Sequence, residues 1–233
     1  MKNIKTFTYH ILAIVIIISN TSILRAEQNY GLNPNMNNYA KEKKYIEGSF
    51  SDVIGTEWYS ASIATAFEYG LVSGITSDRY GVSNNVTIAE TIVLASRIDS
   101  IFYTGRVDMP ASDIWYQSYV DYALDAGIIN EKYSNYNDPA TRSQFAEIMS
   151  NALPSYALEE INWIDDNAIP DVKINDSYGK AVYKLYRAGI ISGADAEGTF
   201  NPNANILRTE VAAIITRMVD VNLRQSKTLM GDY

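Results

Sequence analysis

Apolar residues recur at intervals of three and four along this chain, in segments that come in pairs. The first segment of a pair runs from Trp58-Tyr59 through Ile63, Ala66 and Phe67, and again from Trp115-Tyr116 and from Ser177-Tyr178. That spacing gathers apolar side chains on one face and predicts a helix of about three turns. Each such segment runs into a glycine, Gly70, Gly127 and Gly189, at a constant separation of 12 from Trp58, Trp115 and Ser177. Glycine accepts the left-handed backbone that stops a helix, so these positions predict its end. The second segment carries Ile92, Val93 and Ile98, then Phe145, Ile148, Met149 and Leu153, then Val211, Ile214, Ile215 and Met218. Its start is signalled by Thr87-Ile88-Ala89-Glu90 and by Thr141-Arg142-Ser143-Gln144. Both fit a capping box, in which the threonine hydroxyl and the Glu or Gln side chain satisfy each other's backbone N–H groups. The third start, Leu207-Arg208-Thr209-Glu210, has no hydroxyl at its first position, so the expectation is either that Asn205 substitutes as the cap or that the end frays.

The pairs open alike, with Phe50-Ser51-Asp52-Val53, Ala111-Ser112-Asp113-Ile114 and Ile169-Pro170-Asp171-Val172. The aspartates lie 61 and 58 residues apart. Self-similarity at such a period marks a repeat architecture. Loops holding Tyr80, Tyr136 and Phe200-Asn201-Pro202 join the two helices of each unit. Two helices cannot bury an apolar stripe alone, whereas three equivalent stripes meeting on an axis bury one another. The expected fold is therefore all-α, with three helix-loop-helix repeats in a pseudo-threefold arrangement around a central three-helix bundle. The boundaries read 1–26, 27–49, 50–106, 107–168, 169–219 and 220–233: a signal peptide, a leader, the first repeat, the second repeat with a linker, the third repeat and a polar tail. A helical stretch is expected at Tyr39–Ile46 of the leader, and Trp163 is expected to pack within the linker.

The signal reading rests on Lys2 and Lys5, the apolar run Ile11–Ile18, and Leu24-Arg25-Ala26 as a cleavage point. Eight apolar residues are too few to span a bilayer, so no membrane span is expected after cleavage and the mature chain is exported. Removing residues 1–26 takes away Lys2, Lys5 and Arg25 and no acid, which moves the net charge from −8 to −11. That charge argues against nucleic acid and anionic membrane as partners. The chain has no cysteine, and its single histidine, His10, lies in the signal segment. Ser-His and Cys-His catalysis are thereby excluded, and zinc lacks its usual ligands. Asp165-Asp166-Asn167 and Asn201-x-Asn203-x-Asn205 lack the spacing of a calcium loop. The expectation is no enzyme, no catalytic residue, no cofactor and no metal.

The ordered set Phe-Ser-Asp-Val, Trp-Tyr, Gly-Leu-Val-Ser-Gly, Phe-x-Pro and Thr-Arg-x-Glu/Gln resembles the S-layer homology (SLH) domain family, with three consecutive copies over about Phe50–Val219. The resemblance implies a three-pronged helical pseudo-trimer. It implies noncovalent attachment to the bacterial cell wall through secondary wall polysaccharide, commonly carrying pyruvate ketals, held in grooves between repeats. It further implies location at the cell surface, with other S-layer or wall proteins as further partners. By the same resemblance Arg208 and Arg142 are anion contacts, aided by Asp52, Asp113 and Asp171, by Trp58 and Trp115, and by backbone near Gly74 and Gly193. A helix N-terminus with an arginine suits a carboxylate, and tryptophan offers a face to a sugar ring. The same aspartates could instead cap a turn, and the tryptophans could be core residues.

Three departures stand out: Ile88 where the first repeat should carry arginine, Glu131 where the second should carry its second glycine, and Ser177 where the third should carry tryptophan. Since no unit is complete, one or two working grooves are expected. The alternative reading is a structural or adaptor protein of the cell surface whose glycan sites have decayed and which acts by protein–protein assembly.

Overall fold

Three backbone hydrogen bonds close the repeats into a ring. In the computed structural model, which describes residues 34–231, Val86 N–H donates to Ile206 O, Ile206 N–H to Ala140 O, and Ala140 N–H to Val86 O, at 3.0, 3.1 and 2.8 Å. All three residues are buried, and each stands two positions before a second helix. Just beyond the ring, the amides of Ile88, Arg142 and Arg208 donate to the carbonyls of Asp138, Ala204 and Asn84 at 3.0, 2.8 and 2.9 Å. The first amides of a helix have no partner within it. Here the neighbouring unit's loop supplies one, so each second helix is started by the unit beside it.

The six helices are α1 (Ser60–Glu68), α2 (Ile88–Thr104), α3 (Gln117–Asp125), α4 (Arg142–Ser150), α5 (Gly179–Arg187) and α6 (Arg208–Val219), counted among the described residues. The first helix of each unit packs on the second helix of the unit before it: α3 on α2, α5 on α4 and, closing the circle, α1 on α6. The apolar stripes merge into one core that includes Ile63, Ile92, Phe145, Ile148, Leu185 and Ile215. The all-α, threefold arrangement expected from the repeat is what the chain adopts.

The local signals act as read. Gly70, Gly127 and Gly189 have φ of +67°, +69° and +72°. There the amides of Leu71, Ile128 and Ile190 fold back onto the carbonyls of Ala66, Ala123 and Leu185 at 3.0, 2.8 and 2.9 Å, in the manner of a Schellman cap. Thr87 with Glu90 and Thr141 with Gln144 form complete capping boxes. At α6 the expectation of Asn205 as the cap is corrected. Leucine has no acceptor, so Glu210 Oε2 alone reaches back to Leu207 N–H at 2.9 Å, and Asn205 uses its backbone in an antiparallel bridge to Thr141.

Two further expectations are corrected. Tyr39–Ile46 is not helical, and the one helical element among the leader's described residues is a 3-10 turn at Met36–Asn38. The amides of Glu42 and Lys43 both donate to Glu68 O at the end of α1, while Met36, Tyr39 and Tyr45 pack on the core. Tertiary acceptors and apolar anchors outweigh a weak local helix preference. The segment after α6 is docked: β2 (Thr228–Leu229) pairs in parallel with β1 (Trp163–Ile164), and Arg224 donates to Ala157 O at 2.7 Å. Trp163 is not a packing residue, since it is 67% exposed. The signal-peptide expectation lies outside the described residues. No described helix is long and apolar enough to cross a membrane.

Candidate binding grooves

Two of the second helices, α6 and α4, send the side chain of their first residue into the loop of the next unit around the ring. Arg208 of the third unit reaches the first unit's loop, where Nε donates to Tyr80 O at 3.0 Å and Nη2 to Ser73 O at 2.8 Å. Its guanidinium lies 4.8 Å from the centre of the Tyr80 ring, and Nη1 stands 3.4 Å from Glu90 Oε1. Tyr80 returns a hydrogen bond from its hydroxyl to Arg208 O at 3.0 Å. Burial of that phenol pushes its pKa up to about 12, against the opposing pull of the Arg208 charge. Arg142 of the second unit repeats the arrangement on the third unit's loop, with Nε on Phe200 O at 2.6 Å, the ring centre at 5.2 Å and an ion pair to Glu210. The two arginines differ in access: the Arg142 side chain is 7% exposed and the Arg208 side chain 14%, with Glu210 at 26% and Glu90 at 35%.

The opening aspartates organise the same loops. Asp52 accepts from the amides of Tyr80, Gly81 and Val82 at 2.7, 2.8 and 3.3 Å. Asp171 accepts from Phe200 and Asn201 at 2.8 and 2.6 Å. No described loop amide donates to Asp113, which is exposed; there Tyr116 stacks on Tyr136 at 5.1 Å instead. Burial pushes the Asp52 pKa up, but its backbone N–H donors together hold it below the ordinary value. A depressed folded-state pKa gives stability that is present above the unfolded pKa and lost as pH falls through the folded one. Asp52→Asn is therefore expected to cost about 1 kcal/mol at neutral pH, discounted for a carboxylate that solvent still reaches. Urea midpoints should converge as pH drops below the carboxylate range, and a gap unchanged with pH would contradict this role.

Gly74 and Gly193 sit where each loop doubles back. A Cβ on Gly74 would lie 2.3 Å from Thr76 O and 2.6 Å from Arg79 O, and one on Gly193 would lie 2.5 Å from Gly198 Cα. Both glycines thus allow backbone to approach backbone within a loop. Trp58 and Trp115 are not core residues; they are 63% and 56% exposed.

Three units meet in a single groove. Ser73 and Tyr80 of the first loop, Glu90 of α2, Trp115 at the start of α3 and Arg208 of α6 line a cleft of about 150 Å³. Carried around the ring, the same rule gives two more grooves. One combines the second loop with Gln144 and Ser177 in a cleft of about 580 Å³, and the residue at the matching arginine position of the repeat is Ile88. The other combines the third loop with Glu210 and Arg142, and the residue at the matching tryptophan position is Trp58. By this rule the departures Ile88 and Ser177, which belong to different units in sequence, are assigned to the same groove. The other two grooves are each assigned both an arginine and a tryptophan. The glutamates that pair with these arginines escaped the sequence reading, where Glu90 and Glu210 counted only as capping residues. The signal was present in the first and third positions of the second helices: Arg208 pairs with Glu90 and Arg142 with Glu210, while the remaining first and third positions hold the uncharged Ile88 and Gln144.

Comparison with known proteins gives matches to the S-layer homology domain at residues 49–92 and 168–212. An amylopullulanase of Thermoanaerobacterium thermosulfurigenes is 30% identical over 183 residues, 74% of this chain and 10% of that protein. The exoglucanase XynX of Acetivibrio thermocellus is 29% identical over 180 residues, 74% of this chain and 16% of its own length. A surface-layer 125 kDa protein of Lysinibacillus sphaericus is 26% identical over 117 residues, 45% of this chain and 10% of that protein. The chain thus spans between a tenth and a sixth of the length of these relatives.

Proposed function

Because this chain belongs to the S-layer homology family, we propose that it is an exported, non-enzymatic protein that attaches noncovalently to the bacterial cell wall by holding secondary wall polysaccharide in the first groove. The middle helix-loop-helix, which the family match does not cover, is in this reading a third repeat, because it supplies the same ring bonds and the groove's tryptophan. One observation carries the proposal: the Arg208 guanidinium and an exposed Trp115 face one cleft from different units.

The chemistry follows from that geometry. Glu90 stands at a loose 3.4 Å from Nη1 of Arg208, so an incoming carboxylate, such as that of a pyruvate ketal, competes for that edge of the guanidinium. The start of α6 adds its positive dipole end. Trp115 gives the adjoining sugar ring an apolar face without having to leave the core. In the third groove Arg142 is closed off by Phe200 and Glu210, so its first task is to join two units. The relatives' names include a surface-layer protein, in keeping with a surface location.

The two tryptophans test this choice. Both are exposed, so truncating either should leave stability within about 0.5 kcal/mol. Trp115→Ala should weaken binding to polysaccharide-bearing sacculi about tenfold, the loss of one aromatic anchor, whereas Trp58→Ala should change it little. The opposite ranking would move the site to the third groove.

A further inference from the structure

The second groove has not simply lost its residues; it has exchanged one set of charges for another. At the arginine and glutamate positions it carries the neutral pair Ile88 and Gln144, so no carboxylate is stranded there without its guanidinium. One turn further along the second helix, the first and third units have Val93 and Ala213, whereas the second has Glu147. On the first helix, the positions held by Ala61 and Ser118 in the other units carry Lys180, and those held by Thr65 and Tyr122 carry Lys184. Glu147, Lys180 and Lys184 all line the same cleft of about 580 Å³.

Their states differ in an instructive way. Lys184 is half-buried and donates from Nζ to Ser150 O at 2.7 Å, so it is anchored to the end of α4. Glu147 is half-buried beside Ile148 and Ala181 on the cleft wall, and burial pushes its carboxyl pKa up. No described side chain or amide donates to that carboxylate, and Lys180 has no described acidic partner within 4.0 Å. A half-buried carboxylate and an exposed ammonium line one cleft without pairing each other, so each is open to a ligand of opposite charge. Burying a charge without a partner is costly, and a ligand cation offsets that cost at Glu147.

We propose that the second groove is a separate binding site for a zwitterionic amino sugar, whose ammonium pairs with Glu147 and whose acid group pairs with Lys180. The absence of tryptophan suits this ligand, because the contact is made through two charged substituents of the sugar rather than by stacking. The site holds whether or not the first groove takes the wall polysaccharide.

Muramic acid, which has both a free amine and a carboxylate, is the probe. N-acetylmuramic acid lacks the ammonium and glucosamine lacks the carboxylate. In amide NMR titrations of the whole chain, muramic acid should give saturable shifts around Glu147 and Lys180. Both control sugars should bind about tenfold more weakly or less, the loss of one charged contact. Glu147→Gln should reduce muramic acid to the level of N-acetylmuramic acid, and Lys180→Gln should reduce it to that of glucosamine. Arg208→Ala should leave all of these affinities unchanged. The proposal is overturned by equal affinity for the three sugars, by the lack of a saturable shift, or by shifts in the first groove that vanish with Arg208→Ala.

Discussion

Replacing Arg208 by alanine should weaken binding to polysaccharide-bearing sacculi by roughly a hundredfold, about 3 kcal/mol. The side chain is the only cation among the described residues lining the first groove, and the chain's net charge of −8 gives an anionic ligand no long-range attraction. The same substitution removes the hydrogen bonds to Tyr80 O and Ser73 O, so a stability loss of about 1–3 kcal/mol accompanies it. Arg208→Lys separates the two effects. It keeps a cation at the groove but loses the planar fork that holds two carbonyls and a carboxylate at once. Its affinity should fall between wild type and alanine, with the helical circular dichroism unchanged in all three proteins. Binding by Arg208→Ala at wild-type strength would remove the first groove from the account.

Arg142 should show the opposite balance, with a large effect on folding. Its guanidinium is buried against Phe200 O and Glu210, so Arg142→Ala leaves a half-buried carboxylate without its partner. Breaking such a pair on one side costs about 3–5 kcal/mol. The chain itself contains the remedy, because the second groove carries Ile88 and Gln144 at the equivalent positions. Arg142→Ile combined with Glu210→Gln should recover most of the loss. Urea denaturation of the two single variants and the double should therefore be strongly non-additive. Additive losses would mean that the two residues do not act as a pair.

These contrasting roles mark where the sequence stopped being informative. The repeat, the glycine stops and the capping boxes were legible because they are local. Gly70, Gly127 and Gly189 act through their own φ, and Thr87 and Thr141 act on amides three residues away. The grooves were legible only in part, because each is assembled from three units offset around a ring. In linear order Ile88 and Ser177 look like separate defects of the first and third repeats, yet the ring in which α3 packs on α2, α5 on α4 and α1 on α6 assigns both positions to the groove of the second loop. Arg142 and Arg208 occupy the same motif position and differ only in how far the neighbouring loop closes over them, a tertiary property. Trp58 and Trp115 could not be sorted into core or surface from spacing alone, since each lies just before a helix rather than on its apolar face. The leader misled for a related reason: Glu68 O, an acceptor at the end of another helix, decided the backbone of Glu42 and Lys43.

The most direct test of the central claim is co-sedimentation of the purified protein with two preparations of sacculi, one retaining its secondary polysaccharide and one stripped of it. The account predicts saturable binding to the first, absent from the second and displaced by the free polysaccharide. Equal retention by both preparations would contradict it.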